Sequence, residues 1–114
     1  MHELSLALSI LDATSQEMAK NDAGRVQEIK LEVGMLSGVD PEALKFALSV
    51  AMESSILEGA SVIISSTEGV GQCSQCDHSF PMPEMWTTCP VCRMPAGKIL
   101  QGEELKIVSL TVDR

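Results

Sequence analysis

The sequence predicts a small α/β or α+β lobe, with two helices on a three-stranded sheet, that is interrupted by a cysteine-rich insert. Three observations predict this plan: two segments have apolar residues at helical spacing, three alternate apolar and polar residues, and one aperiodic stretch holds all four cysteines. The length of 114 residues fits one domain with a small second lobe. The predicted boundaries are 1–68 plus 102–114 for the helix-and-sheet lobe and 69–101 for the insert.

Both helices are predicted from apolar stripes and end signals. The first stripe consists of Leu4, Ala7, Leu8, Leu11, Ser15 and Met18, and Asn21-Asp22-Ala23-Gly24 follows as a stop. The second helix begins with Asp40 as the N-cap and Pro41 at the first helical position. Its predicted buried stripe is Leu44, Ala47, Leu48 and Ala51, and Gly59 is its expected end.

Three strands are predicted from alternating residues in VQEIKLEVGML, ASVIISS and EELKIVSLTV. The alternation of the last strand slips by one residue, because Leu105 and Ile107 share one phase while Val108 and Leu110 share the other. A β-bulge or a change of pairing partner is therefore expected there.

Composition excludes several classes of protein. The net charge is −8, with eight basic residues against sixteen acidic ones, which argues against nucleic acid and against an anionic membrane surface. No apolar run approaches the ~20 residues of a spanning helix, and the N-terminus lacks the basic and small-residue features of a signal peptide. A cytoplasmic protein is expected, in which four cysteines indicate metal or redox chemistry rather than disulfides.

The insert reads CSQCDHSFPMPEMWTTCPVC, which places two C-x2-C pairs on either side of a loop. Such pairs form tight turns that aim two thiolates at one point, so a tetrahedral metal site is predicted at Cys73, Cys76, Cys89 and Cys92. Zinc is the favoured metal. Iron is the alternative because the CPVC turn is similar to that of rubredoxin, and two separate dithiol redox centres are a weaker one. The insert is predicted to be a zinc-ribbon or rubredoxin-like lobe.

The role of the predicted metal is structural. The insert is shorter than the ~40 residues that usually fold without a staple, and four thiolates leave no open coordination position. His78 is expected to be a partly exposed loop residue, with a thiolate hydrogen bond or pH-dependent ligation as the alternative. Trp86 is expected to pack over the two cysteine turns.

The opening MHEL offers a second set of metal ligands. The Met1 amine, the amide nitrogen of His2 and its imidazole can close fused chelate rings, and such nitrogen-rich planar sets suit Ni(II) or Cu(II). Glu3 can add an oxygen ligand or a hydrogen-bond acceptor. On these residues alone, an idle terminus remains the stronger interpretation.

The chain resembles the HypA/HybF family in MHELSL, in LEVGMLSGVDPEALKFAL, in the C-x2-C pairs and in the closing GEELKI. The resemblance spans essentially the whole chain. It implies a nickel-insertion accessory protein for NiFe-hydrogenase, with nickel at His2 aided by Met1 and Glu3. It also implies zinc at the four cysteines and an indirect role for Asp40 near the nickel end. The implied partners are a GTPase and the hydrogenase large subunit. One departure is Arg93-Met94 after the last cysteine, where family members often have small residues.

Two other functions stay open at this point. One is a zinc-ribbon protein-interaction module, and the other is a rubredoxin-like electron carrier. An enzyme is not expected, because the sequence offers no nucleophile–base pairing and no glycine-rich phosphate loop. Whether the chain forms a homodimer also stays open.

Overall fold

The computed structural model describes residues 2–20 and 24–113, and for His2 the backbone only. The predicted stop at Asn21–Ala23 and the Met1 and His2 donor groups lie outside this description. The elements of the described residues are α1 (His2–Lys20), β1 (Arg25–Gly34), α2 (Pro41–Ala51), β2 (Ser61–Thr67), β3 (Val70–Cys73), β4 (Ser79–Pro81), β5 (Ala96–Gln101) and β6 (Leu105–Asp113).

The first sheet has the order β2-β1-β6, with β2 parallel and β6 antiparallel to the central β1. Because β1 alternates polar and apolar residues, Ile29, Leu31 and Val33 lie on one face and are buried against the two helices. The prediction of two helices on a three-stranded sheet is confirmed.

The predicted irregularity in the last strand is a β-bulge at Val108. Lys30 pairs with Ser109 and Leu31 pairs with Ile107, so Val108 has no partner on β1. Its side chain is exposed, whereas Ile107 and Leu110 pack against the core. The extra residue thus returns the apolar side chains of β6 to the helix-covered face.

The buried stripe of α1 differs from the predicted one. The buried residues are Ala7, Ile10, Thr14 and Met18, while Leu4 and Leu8 are 40% and 54% exposed. Apolar residues cover more than half of the circumference of this helix, so their spacing alone does not fix which side faces the sheet. Leu4 and Leu8 therefore form an apolar line that the fold leaves on the surface.

The start of α2 is as predicted, but its end is not. The Asp40 side chain accepts a hydrogen bond of 3.0 Å from the backbone N–H of Glu42, and Pro41 opens the helix. The helix ends at Ala51, well before Gly59, and residues 52–59 form turns. Ser54 has a positive φ of 60°, which breaks the helical path, and its N–H donates to the Glu58 carboxylate.

The insert contains a second three-stranded sheet, of order β4-β3-β5, in which both neighbours are antiparallel to β3. The sequence pattern did not predict these strands, because they are short and each of the three contains proline or glycine. The buried cluster of the insert includes Phe80, Met82, Cys73 and Cys89. This sheet holds the first cysteine of the chain at the end of β3.

The junction of the two lobes is closely packed rather than open. A Cβ on Gly34 would collide with the backbone of Gly102. The two chain segments can approach this closely because glycine has no side chain. Leu36, from the loop after β1, donates its N–H to the Gly102 carbonyl at 2.7 Å. Its side chain is buried in the cluster of the cysteine-rich lobe, so the helix-and-sheet lobe supplies part of the core of the insert.

Candidate metal centre

The first cysteine turn begins at the end of β3 and runs through Cys73 and Cys76. The Cys73 N–H donates to the His78 carbonyl at 2.9 Å, and the Asp77 N–H donates to the Cys73 carbonyl at 3.1 Å. Asp77 has a positive φ of 60°, which lets the chain reverse directly after the second cysteine. The Gln75 N–H points at the Cys73 sulfur, 3.4 Å away.

The second cysteine turn repeats this geometry at Cys89 and Cys92. The Cys89 N–H donates to the Met94 carbonyl, and the Arg93 N–H donates to the Cys89 carbonyl, each at 2.8 Å. Arg93 has a positive φ of 64°, and the Val91 N–H lies 3.4 Å from the Cys89 sulfur. The two C-x2-C segments therefore adopt the same turn conformation, and equivalent hydrogen bonds stabilise each turn.

The two turns bring the four thiols into one cluster. All four sulfur atoms lie within 4.8 Å of one another. The Cys76 and Cys89 sulfurs are 3.7 Å apart, and the Cys73 and Cys92 sulfurs are 3.0 Å apart. Sulfurs at the corners of a tetrahedron with Zn–S bonds of about 2.3 Å stand about 3.8 Å apart. The cluster thus fits one tetrahedral four-thiolate metal ion, with a small widening of the shorter pair.

The cluster favours thiolate at one cysteine of the closer pair. The backbone N–H of Cys76, together with the Cys92 thiol and the Gln75 N–H, lowers the pKa of Cys73 to about 6. The hydrogen bond to Cys73 raises the pKa of Cys92 to about 12, because Cys92 acts as its donor. N–H groups that point at sulfur stabilise the negative charge that a metal ligand must carry.

The four cysteines differ in solvent exposure according to their position in each turn. The first cysteines, Cys73 and Cys89, are buried, whereas Cys76 is exposed and Cys92 is intermediate. One side of the metal centre therefore belongs to the core of its lobe, and the other faces solvent.

Two expectations about the neighbours of the cysteines have different outcomes. His78 is exposed, and its contribution comes from the main chain, through its carbonyl bond to Cys73 and its N–H bond to the Cys76 thiol. The expectation that Trp86 packs over the turns is wrong, because its side chain is 77% exposed. Phe80, from β4, and Met82, directly after that strand, fill the core instead, and the aperiodic sequence did not reveal this strand.

The N-terminal candidates belong to the helix-and-sheet lobe, at the end where α1 and α2 begin. The Glu3 carboxylate accepts a hydrogen bond of 3.4 Å from the backbone N–H of Asp40. The first turn of α1 therefore adjoins the N-cap of α2, so Glu3 and Asp40 are neighbours. The expectation that Asp40 is a helix cap is confirmed by its bond to Glu42. The Met1 amine and the His2 imidazole lie outside the described residues.

Sequence reasoning missed three contributors to the metal centre. Gln75 and Val91 supply N–H groups to sulfur, and Leu36 enters the core from outside the insert. The first two are detectable, because any C-x2-C turn places the N–H of its third residue near the first sulfur. Leu36 carries no such signal, since only the folded junction brings it to the insert.

The fold and the cysteine cluster define a two-lobed metal-binding protein, in which a helix-and-sheet lobe carries a small four-cysteine lobe. The family described as "Hydrogenase/urease nickel incorporation, metallochaperone, hypA" matches residues 1–112. This chain belongs to the HypA family.

Relatives and solved structures agree with this membership. The chain is 42% identical over 114 residues to a hydrogenase maturation factor HypA of Parabacteroides distasonis, covering 100% of this chain and 99% of the relative. It is 41% identical to the HypA of Pelodictyon phaeoclathratiforme, covering 99% of this chain and 97% of the relative. The solution structure of the nickel metallochaperone HypA from Helicobacter pylori shares the fold, with a TM-score of 0.68 at 22% identity over 96% of each chain. A solution structure of a HypA protein has a TM-score of 0.69 at 25% identity and covers 98% of this chain and 96% of that one.

Proposed function

We propose that this protein is a nickel metallochaperone, which binds Ni(II) at its N-terminus and delivers it during NiFe-hydrogenase maturation. The observation that carries the proposal is the match of residues 1–112 to a nickel-incorporation family, since it includes both the MHEL terminus and the four cysteines. In this proposal, residues 1–68 and 102–114 form the nickel-binding domain, and residues 69–101 form a zinc-binding domain.

The proposed nickel ligands are the Met1 amine and the His2 amide and imidazole nitrogens, with Glu3 beside them. Helix α1 begins at His2, and the first N–H groups of a helix have no partner within it. Ligation by the His2 amide nitrogen therefore breaks no helical hydrogen bond. A cation at a helix N-terminus opposes the helix dipole, and the carboxylates of Glu3, Asp40 and Glu42 at this end offset that repulsion.

The proposed occupant of the cysteine cluster is a structural zinc ion. Four thiolates complete its coordination shell, so no position remains for a reacting water. This arrangement supports a protein without catalytic turnover of its own. A rubredoxin-like electron carrier is the alternative that the same four thiolates allow, and it requires iron. The purified protein separates the two, because iron bound by four thiolates is red and zinc is colourless.

The proposed partners are a GTPase of the nickel-insertion machinery and the large subunit of a NiFe-hydrogenase, in the cytoplasm. The maturation role of the relatives supports this proposal. None of the helices in residues 2–20 and 24–113 has the length and apolar character to cross a membrane. A homodimer is compatible with the proposal and is not required by it.

The test of the nickel site is calorimetric titration of untagged protein with Ni(II). We expect His2→Ala to weaken nickel binding by tenfold or more, which is about 1.4 kcal/mol per tenfold. A short N-terminal extension keeps His2 but turns the Met1 amine into an amide, so it should also weaken binding. The control is His78→Ala, which removes the only other histidine and should leave nickel affinity and zinc content unchanged. Nickel affinity that is undiminished in His2→Ala would refute the terminal site.

A further inference from the structure

Four large apolar side chains are exposed on the two helices. On α1 these are Leu4 and Leu8, which are 40% and 54% exposed, and on α2 they are Phe46 and Val50, which are 72% and 52% exposed. Each pair has the spacing i, i+4, so each forms a line along its own helix. Exposed apolar residues that cluster in this way mark contact surfaces more often than residues scattered singly.

The packing of α1 shows which way its apolar line faces. Leu6, Ser9, Ile10 and Ala13 line a cavity together with Leu105, Lys106 and Ile107 of β6, so this side of α1 is turned toward β6. At about 100° per residue, Leu4 and Leu8 project from the opposite side. Since the sheet order is β2-β1-β6, that side faces away from β6 and toward α2.

The packing of α2 brings its apolar line to the same place. The two helices start together, because the Asp40 N–H bonds to Glu3. Since they also pack against each other from this shared start, they run in the same direction. In two parallel neighbouring helices, the sides that face each other lie on opposite sides of the two buried stripes. On α2, the side of the Leu44 and Leu48 stripe that faces α1 carries Phe46 and Val50. Measured from the shared start, Leu8 lies about 7.5 Å and Phe46 about 9 Å along the axes at 1.5 Å per residue. The four side chains thus form one ridge, called here the helix crest (Leu4, Leu8, Phe46 and Val50).

We propose that the helix crest is the docking surface for an amphipathic helix of a partner protein, with large apolar side chains flanked by lysine or arginine. On each helix, the apolar side chains of the crest are one helical turn apart, which is also the spacing of the apolar residues along one side of an amphipathic helix. On the outward side, Asp12 and Glu42 border the crest, and the half-buried Glu3 lies at its start. With a net charge of −8 on the chain, this acidic border selects a basic partner and disfavours a second copy.

This surface rests on the proposed function, because it places the partner beside the proposed nickel ligands. Leu4 is the residue after Glu3, so a helix bound along the crest reaches the N-terminus that is proposed to carry nickel. A partner that docks here is held close to the metal while its transfer takes place.

The test is binding of the GTPase of the nickel-insertion machinery, measured by calorimetry with zinc-loaded protein. We expect Phe46→Ala and Leu8→Ala each to weaken binding by tenfold or more, because exposed aromatic and aliphatic anchors dominate such interfaces. Alanine favours helix, so both variants should fold and keep their zinc. The matched control is Ile63→Ala on β2, which removes a 44% exposed apolar side chain outside the crest and should change binding by less than twofold.

Charge and self-association complete the test. We expect Glu42→Gln to slow association with the GTPase and to reduce its dependence on salt, as for a charge at the border of an interface. If wild-type protein binds the GTPase no more tightly than Phe46→Ala does, the crest is refuted as the docking surface, while the GTPase remains a partner. Wild-type protein that does not bind the GTPase overturns both the crest and that partner. A wild-type dimer that Phe46→Ala converts to monomer would assign the crest to a second copy and overturn the proposal.

Discussion

The two lobes reach stability by different means, although they belong to one short chain. In the described residues, the helix-and-sheet lobe buries thirteen residues in its apolar cluster, while the cluster of the cysteine-rich lobe has five. Two of those five are cysteines, and a third, Leu36, comes from the other lobe. Burial of apolar surface can sustain the first lobe, whereas the second has too little of it. We therefore expect a metal ion at the four cysteines to provide most of the stability of the second lobe.

The largest expected effect comes from removing one thiolate, which should unfold the cysteine-rich lobe and leave the helix-and-sheet lobe folded. Cys89→Ala should abolish zinc binding, and a structural zinc site contributes on the order of 10–16 kcal/mol. We expect the amides of β3, β4 and β5 to lose protection from hydrogen exchange, while those of β1, β2 and β6 stay protected. Elemental analysis should find about one zinc per wild-type chain and none in the variant. Protected β3 amides in zinc-free protein would contradict this division.

The next largest effect is the converse change in the helix-and-sheet lobe. Leu48 is fully buried on α2, so Leu48→Ala should destabilise this lobe by about 2–5 kcal/mol through lost burial and a cavity. Zinc content should be unchanged. The control is Val50→Ala on the exposed side of the same helix, which should cost less than about 0.5 kcal/mol. Denaturant unfolding followed by circular dichroism measures both, and equal losses would show that burial does not set the stability of this lobe.

The two lobes also differ in how far the sequence predicts them. Alternation and helical spacing predicted the first lobe, including the bulge at Val108, because its elements are long and half-buried. The same signals failed where apolar residues surround a helix, so the buried side of α1 was misplaced. In the insert, spacing predicted the cysteine cluster but not the sheet that carries it. Trp86 was misplaced for a related reason, since Leu36 occupies the core of the insert from a part of the chain that is distant in sequence.

A smaller effect tests the match between the two cysteine turns. Arg93 and Asp77 occupy equivalent positions with positive φ, a conformation that costs residues with a side chain about 1–2 kcal/mol. Arg93→Gly removes this strain at some cost in chain entropy, so we expect a net gain of about 0.5–1 kcal/mol for the cysteine-rich lobe. Asp77→Gly should gain less, because aspartate tolerates this conformation better.

The strength of zinc retention measures this gain. Chelator competition should show slower zinc release from Arg93→Gly than from wild-type protein. Arg93→Ala serves as the control, because it removes the same side chain but keeps the strain. If Arg93→Ala retained zinc as strongly as Arg93→Gly, the gain would come from the lost charge and not from the backbone.

The smallest expected effect is a pH dependence confined to the helix-and-sheet lobe. The Thr67 hydroxyl donates a 2.6 Å hydrogen bond to the Glu32 carboxylate, and the Lys106 ammonium lies 3.3 Å from its other oxygen. The Thr67 hydrogen bond, followed by the contact with Lys106, lowers the pKa of Glu32 from its ordinary value of 4.5. A carboxyl whose pKa is lower in the folded state stabilises the fold at pH values above its pKa in the unfolded chain. This contribution is lost as pH falls through its pKa in the folded state.

Thr67→Val should therefore raise the pKa of Glu32 and destabilise this lobe at neutral pH, with a difference from wild type that shrinks below about pH 4.5. Titration of Glu32 by NMR measures the shift, with Thr111→Val as the control on β6, and an unchanged pKa in Thr67→Val would show that Lys106 alone holds it down.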